Sequence, residues 1–374
     1  MSVIIKEVNS KKDFKKWVDF LTKMYKKEKY FVPFLRPDEF STFSKEDNPA
    51  YEYCESRLFL AYKDNKIVGR IAGLINHAAN KKWNTNQIRF TRFDFIDDYE
   101  VSSALMNAVI EWGKERGFTE IIGPMGCYDM DHSGALIEGF DEMNLSITFY
   151  NYPYYINHYE KLGFKKEIDW VEYRLTLDKD VDPKITKLSE YIKKKYNYQS
   201  VFYQDRKDLW KDGYEAFKLI DVAFSELYGT VPLTDKVIKK CLDDYIPIVN
   251  LKYICSVKDS EGKIVGFGVL VPSISKALKK TNGHMFPFGI FRLLKALKGK
   301  NDTLDMYFVA VAPEHRSKGI PAILINDLTK ECIKNGVKYL ETGPELETNS
   351  NVQGMWKTFN AKQHRRRRCY KKEI

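Results

Sequence analysis

The stretch best suited to chemistry in this 374-residue chain is Val311-Ala312-Pro313-Glu314-His315-Arg316-Ser317-Lys318-Gly319-Ile320-Pro321-Ala322. It follows a strand-like apolar run, 304–311, and opens a segment whose apolar residues recur at helical spacing. A strand, a basic glycine-containing loop and a helix start, in that order, suit a diphosphate. The first N–H groups of a helix lack internal acceptors, and the helix dipole favours an anion there. Gly319 allows the backbone to approach closely, and Arg316 and Lys318 add compensating charge. The expected contacts are Val309 and Val311 at the strand end, then Arg316, Ser317, Lys318, Gly319, Ile320, Pro321 and Ala322. Without a ligand, the same stretch reads as a basic strand-to-helix turn.

This loop resembles the CoA-binding motif of the GNAT superfamily of acyl-CoA N-acyltransferases, a strand ending V-x-P followed by [Q/R]-x-x-G-x-[G/A]. The match fails only at Pro321, which lacks the N–H that a glycine or alanine would offer, although proline suits the first turn of a helix. The resemblance implies acetyl-CoA or a longer acyl-CoA as co-substrate and direct attack of an amine on the thioester. Such attack needs a base for the amine, and a tyrosine often protonates the departing thiolate. Tyr159 stands in the family's tyrosine pattern, ahead of Gly163-Phe164, whereas the corresponding place after Asn351 holds Trp356. Glu345 and Glu347, just past Gly343-Pro344, are the candidate bases, with Asp305 behind them. Asn349 and Asn351 are placed against CoA by family position.

The elements that would hold these residues form an internal repeat. Lys11-Lys12-Asp13-Phe14 and Arg206-Lys207-Asp208-Leu209 each open a helical pattern. LFLAYKDNKIVGRIAGLI, ending at Ile75, is similar to YICSVKDSEGKIVGFGVLV, ending at Val271, and both read as hairpins. A helix, a glycine stop (Gly117, Gly336) and a short strand then run into Gly123-Pro124 and Gly343-Pro344. The expected fold class is therefore α/β, a mixed α+β sheet built as two tandem GNAT-like domains over 1–190 and 191–374. The second contains a hydrophobic and basic helical insertion at about 276–300. Where the first copy should bind diphosphate it reads FDFIDDYE, without glycine and crowded with acids, so no CoA is expected there.

The tip of the first copy, GPMGCYDMDHSGALIEGF, with NYPYYINHYEKLGF after it, is rich in polar and aromatic groups. Tyr128, Asp129, His132 and Tyr155 are the expected acceptor-binding residues, the acceptor being a small-molecule or lipid-like amine. Cys127 and His132 lack a third group to orient them as a nucleophile and base. The insertion, with Phe286, Phe288, Phe291 and Leu294 among lysines, reads as a docked flap, an acyl or acceptor lid, or a membrane-surface contact.

The six cysteines are scattered without CxxC pairs, which argues against zinc and against a disulfide framework; no metal site is expected. The N-terminus has no secretion signal and no apolar run reaches ~18 residues, so a cytoplasmic protein is expected; the resemblance to tandem GNAT proteins of bacteria implies a bacterial one. A net charge of +10, part of it in the run from His364 to Arg368, suits CoA, RNA or a membrane; DNA is not expected. The leading expectation is an N-acyltransferase. A non-catalytic CoA sensor or scaffold and an aminoacyl-tRNA-dependent amide-forming transferase are the alternatives, the latter using the basic C-terminal run.

Overall fold

The computed structural model describes residues 2–374. The first unit runs β1 (Ile4–Glu7), α1 (Lys11–Met24), α2 (Arg36–Thr42), β2 (Cys54–Lys63), β3 (Lys66–Asn76), α3 (His77–Trp83), β4 (Gln87–Phe95), α4 (Tyr99–Glu115), β5 (Glu120–Gly123), β6 (Ala135–Glu138), α5 (Tyr155–Lys161) and β7 (Lys165–Thr176). The β2–β3 hairpin closes through Asp64 and Asn65, both at positive φ, the two-residue turn whose twist matches the strands. After α6 (Pro183–Tyr196) the pattern returns as β8 (Gln199–Phe202), α7 (Arg206–Ala223), α8 (Asp235–Tyr245), β9 (Ile254–Lys258), β10 (Ile264–Pro272), α9 (Ser275–Thr281) and α10 (Gly289–Lys298). It ends with β11 (Thr303–Val311), α11 (Ile320–Lys334), β12 (Tyr339–Thr342), β13 (Glu345–Leu346), α12 (Ser350–Met355) and β14 (Asn360–Glu373).

Both units share one 14-stranded sheet in the order β1-β2-β3-β4-β5-β14-β7-β12-β11-β10-β9-β8, with β13 on β7 and β6 on β14. The closing strands are exchanged. β14 pairs with β5 of the first unit, and β7 pairs with β12 of the second. A cut at residue 190 falls inside α6, which packs on α11 through Thr186 Oγ1 to Asn326 Oδ1 at 2.8 Å and Lys193 Nζ to Asp327 at 2.6 Å. The inserted stretch is also shorter than its sequence outline. α9 follows β10 as α3 follows β3, so the addition begins after Thr281.

The basic run is not a tail. It lies in β14, paired along β7 in mid-sheet, where Arg365 and Arg367 are buried and share the carboxylate of Glu172. Arg366 and Arg368 reach Asp169 at 3.0 and 2.8 Å. Alternation along a strand sends successive side chains to opposite faces, so one run of arginines serves two acidic partners on the two sides of the sheet. This places the charge expected to meet RNA inside the seam between the units.

In each unit two parallel strands pair only at their beginnings. β4 and β5 are in register from Gln87↔Glu120 to Arg89↔Ile122, and β11 and β12 from Thr303↔Tyr339 to Met306↔Thr342. Beyond these pairs each sheet opens into a V. Among the described residues no helix is long and apolar enough to cross a membrane.

Candidate active site

The V of the second unit is open. On β11 the register to β10 steps from Val269↔Phe308 to Leu270↔Met306, leaving Tyr307 unpaired as a bulge at the edge of the cleft. A cavity of about 280 Å³ follows, lined by Val309, Glu345, Asn349 and Trp356 of the second unit and by Tyr128 and Asp129 of the first. The connection between α7 and α8 closes another side through Leu227 and Tyr228. Buried Arg89 ties the walls together, donating to Gly126 O at 2.9 Å and Gly229 O at 3.2 Å. Trp83 Nε1 donates to Thr230 O at 2.9 Å from the same side. The site is thus built by both units.

Two carboxyls of this cavity, Glu345 and Asp129, are raised to about 7 by burial, and Glu345 is the one held by a side-chain donor of the second unit, Trp356. Burial among apolar groups pushes Glu345 up, partly offset by the hydrogen bond from Trp356. Trp356 Nε1 lies 2.9 and 3.0 Å from the two carboxyl oxygens. The residue at the family's tyrosine position therefore orients a carboxylate rather than carrying an acidic proton. An indole N–H can only donate, which makes its acceptor definite.

The Arg316 loop precedes α11, whose second residue, Pro321, lines a smaller neighbouring cavity. Gly319, at φ +78°, turns the chain into α11, and a side chain there would bring its Cβ within 2.4 Å of Ile192 Cδ1. Ala322 N is bonded to Gly319 O and Pro321 has no N–H, so Gly319 and Ile320 carry the remaining donors of this first turn. Arg316 Nη2 donates to Ala223 O at 2.8 Å, which holds the side chain against the end of α7. Pro321 lines a narrow cavity of about 30 Å³ that shares Met306, Val309 and Trp356 with the larger one. The two cavities thus share an apolar wall of Met306, Val309 and Trp356, the smaller reaching the first turn of α11 and the larger reaching Glu345.

The first unit has lost both features. The side chain of Asp98 accepts from Glu100 N, Lys63 pairs with Asp98 and Glu100, and the start of α4 is thereby occupied by anions. Its V is filled by aromatic rings: Phe95 stacks on Tyr155 at 4.3 Å between centroids, and Tyr159 on Tyr370 at 4.1 Å.

Several expected site residues lie elsewhere. Tyr159 and Tyr155 are buried in this first-unit core, and Tyr155 is held by Tyr25, 2.9 Å away between hydroxyls. Neither lines the open cleft. Glu347 pairs with Lys166 at 2.6 Å and Arg366 at 3.0 Å; burial opposes its ionisation, but the bond from Lys166 holds it below the usual range. Asp305 is buried with its carboxyl pushed up to about 7 by burial, yet it does not reach the cavity wall. His132 packs on Phe34 beside the cleft, its centroid 4.1 Å from that ring. Cys127 is buried, its thiol driven well up by contact with Cys54 and by desolvation. Asn351 is exposed on α12, while Asn349 caps that helix and lines the cavity. Arg89, Tyr307 and the Leu227–Tyr228 wall carried no motif and became visible only once the chain was folded.

Residues 217–360 match the sequence model of the acetyltransferase (GNAT) family. The chain is 27% identical to Protein YghO of Escherichia coli (strain K12), with 99% of this chain and 95% of that protein covered. It is 23% identical to a bacterial ceramide synthase of Caulobacter vibrioides (strain NA1000 / CB15N), with 78% and 76% covered. Among solved structures it is similar to a tandem GNAT protein from the clavulanic acid biosynthesis pathway, with a TM-score of 0.58 at 11% identity, over 100% of this chain and 98% of that one. It also superposes on a GCN5-related glucosamine N-acetyltransferase region of a fungal multi-domain GH3 beta-N-acetylglucosaminidase, with a TM-score of 0.57 at 13% identity, over 99% of this chain and 38% of that one. The open V, the loop at its head and the doubled architecture agree with these likenesses: the chain has a tandem GNAT fold, two units sharing one sheet, and the match to the family's sequence model lies in the second.

Proposed function

We propose that the protein is an acyl-CoA-dependent N-acyltransferase whose acceptor is an apolar, lipid-like amine. The observation that carries this reading is Glu345, a carboxyl raised to about 7 in a largely apolar cleft that shares a wall with the cavity at the first turn of α11. A base poised near neutrality can take a proton from an ammonium and hold it. The neutral amine then forms the new N–C bond as the C–S bond of the thioester breaks; the proton on Glu345 passes to the departing thiolate, and the freed carboxylate takes the nitrogen's second proton and releases it to solvent. The walls supplied by Leu227, Ile147, Met125 and Met130 favour an acceptor with a hydrocarbon body. One relative is named for making ceramide, an amide of a long-chain amino alcohol, which is the same acceptor class.

The test is a thermal-shift titration with acetyl-CoA and palmitoyl-CoA, followed by thiol release in the presence of a long-chain amino alcohol. A ligand at 100 times its Kd adds about 2.7 kcal/mol to stability. The shift should vanish in Arg316→Glu, and thiol release should require the amine. No shift with either thioester would end the acyl-CoA reading; a shift without amine-dependent release would favour a CoA-binding protein without catalysis.

A further inference from the structure

Between residues 276 and 300 the chain carries seven lysines or arginines and no aspartate or glutamate. α10, within this stretch, divides its surface into three strips. Gly289, Leu293 and Leu297 are buried, and the two leucines join Leu278 and Val32 in a core that extends to Tyr307. The next strip is apolar and turned to solvent: Phe291 is 67% exposed and Leu294 37%. Phe288 and Phe286, just before the helix, are 72% and 76% exposed. The third strip, Arg292 and Lys295, forms one wall of a groove of about 1490 Å³ whose other sides carry Lys252, Lys276, Lys280 and Lys334. Two acids line it: Glu341 is paired with Arg174 and Arg365, and Asp302 lies 4.0 Å from Lys276, leaving the other cations in excess.

Three exposed phenylalanines in six residues are unusual on a water-facing surface, because such a patch gains nothing from water and invites aggregation. A flap docked on the core would turn these rings inward. The flap is docked, through Arg36 N to Gly283 O at 3.0 Å and through Leu293 and Leu297, and the rings still face out. Bulky rings beside a field of cations match the interfacial region of an anionic bilayer, where rings enter the acyl boundary and lysines meet headgroup phosphates.

We propose that α10 and the Phe286–Phe288 turn dock the protein on the surface of an anionic lipid bilayer, with the rings inserted and the basic groove against the headgroups. This concerns binding alone and stands whether or not the chain transfers an acyl group. The shared core between α10 and Tyr307 would set the cleft close to the lipid surface.

The experiment is co-sedimentation of the full chain, without any thioester, with vesicles of phosphatidylcholine alone or mixed with phosphatidylglycerol. The proposal expects binding to the mixed vesicles, weakening with salt. Phe286→Ser/Phe288→Ser/Phe291→Ser should lower the partition coefficient about tenfold or more while leaving the melting temperature unchanged, because these rings are exposed. Lys295→Glu/Lys298→Glu should lower it on mixed vesicles only. Failure of the wild type to sediment with mixed vesicles would overturn the proposal. So would equal binding by the triple variant, which would mean charge adsorption alone. A wild-type dimer in light scattering that the triple variant abolishes, without vesicle binding, would assign the patch to a second copy of the chain and also overturn it.

Discussion

Trp356 Nε1 lies 2.9 and 3.0 Å from the two carboxyl oxygens of Glu345, so the indole holds a carboxylate in the cleft where the family's tyrosine would stand. A donor to the charged form favours ionisation. Trp356→Phe keeps most of the ring but removes the N–H, and should move the acidic limb of the pH–rate profile up by about one unit. An unmoved limb would mean that Glu345 does not govern the rate.

Glu345 also links stability to pH. Its folded-state value of about 7 lies above the ordinary 4.5, so the folded chain retains a proton that the unfolded chain releases. The stability this gives is full below about 4.5 and is lost as pH rises through about 7. Glu345→Gln lacks that loss. Thermal melts at pH 5 and pH 8 should show the variant gaining on the wild type by about 1–2 kcal/mol at the higher pH, discounted for partial exposure.

Gly319 holds a left-handed conformation with Ile192 against its open side. Gly319→Ala should cost about 1–2 kcal/mol in chemical denaturation and weaken acyl-CoA binding by displacing the first turn of α11. Adding Ile192→Ala should relieve the clash but not the backbone strain, restoring only part of the stability.

Glu172 lies between two buried guanidiniums, Arg365 and Arg367, at the seam where the strands are exchanged. Glu172→Ala leaves both charges without their shared partner and should destabilise the chain by about 3–5 kcal/mol, read from the urea midpoint. A loss under 1 kcal/mol would show that Glu341, Asn144 and Thr148 suffice for the arginines.

The repeat was legible because hairpins and glycine stops are local, and so was the loop at Arg316, whose chemistry lies in consecutive residues. The strand exchange was not. It depends on which edge each closing strand meets, and a run of arginines reads as a solvated tail until Glu172 and Asp169 are brought opposite it. Among the carboxyls, Glu345 and Glu347 differ by two positions and look alike in sequence. In β13, which pairs with β7, one turns to the cleft and Trp356, and the residue just beyond the strand turns to Lys166 and Arg366. Tyr159 matched a family pattern, but its unit had filled its cleft with aromatic rings, and only packing reveals that.

The most direct test of Glu345 as the base of the cleft is thiol release from palmitoyl-CoA with a long-chain amino alcohol, comparing the wild type with Glu345→Gln at pH 8. A general base contributes roughly 10²–10⁴ in rate, so Glu345→Gln should lose about 100-fold or more in kcat while acyl-CoA binding, followed by thermal shift, stays intact. Release at the wild-type rate by Glu345→Gln would contradict the account.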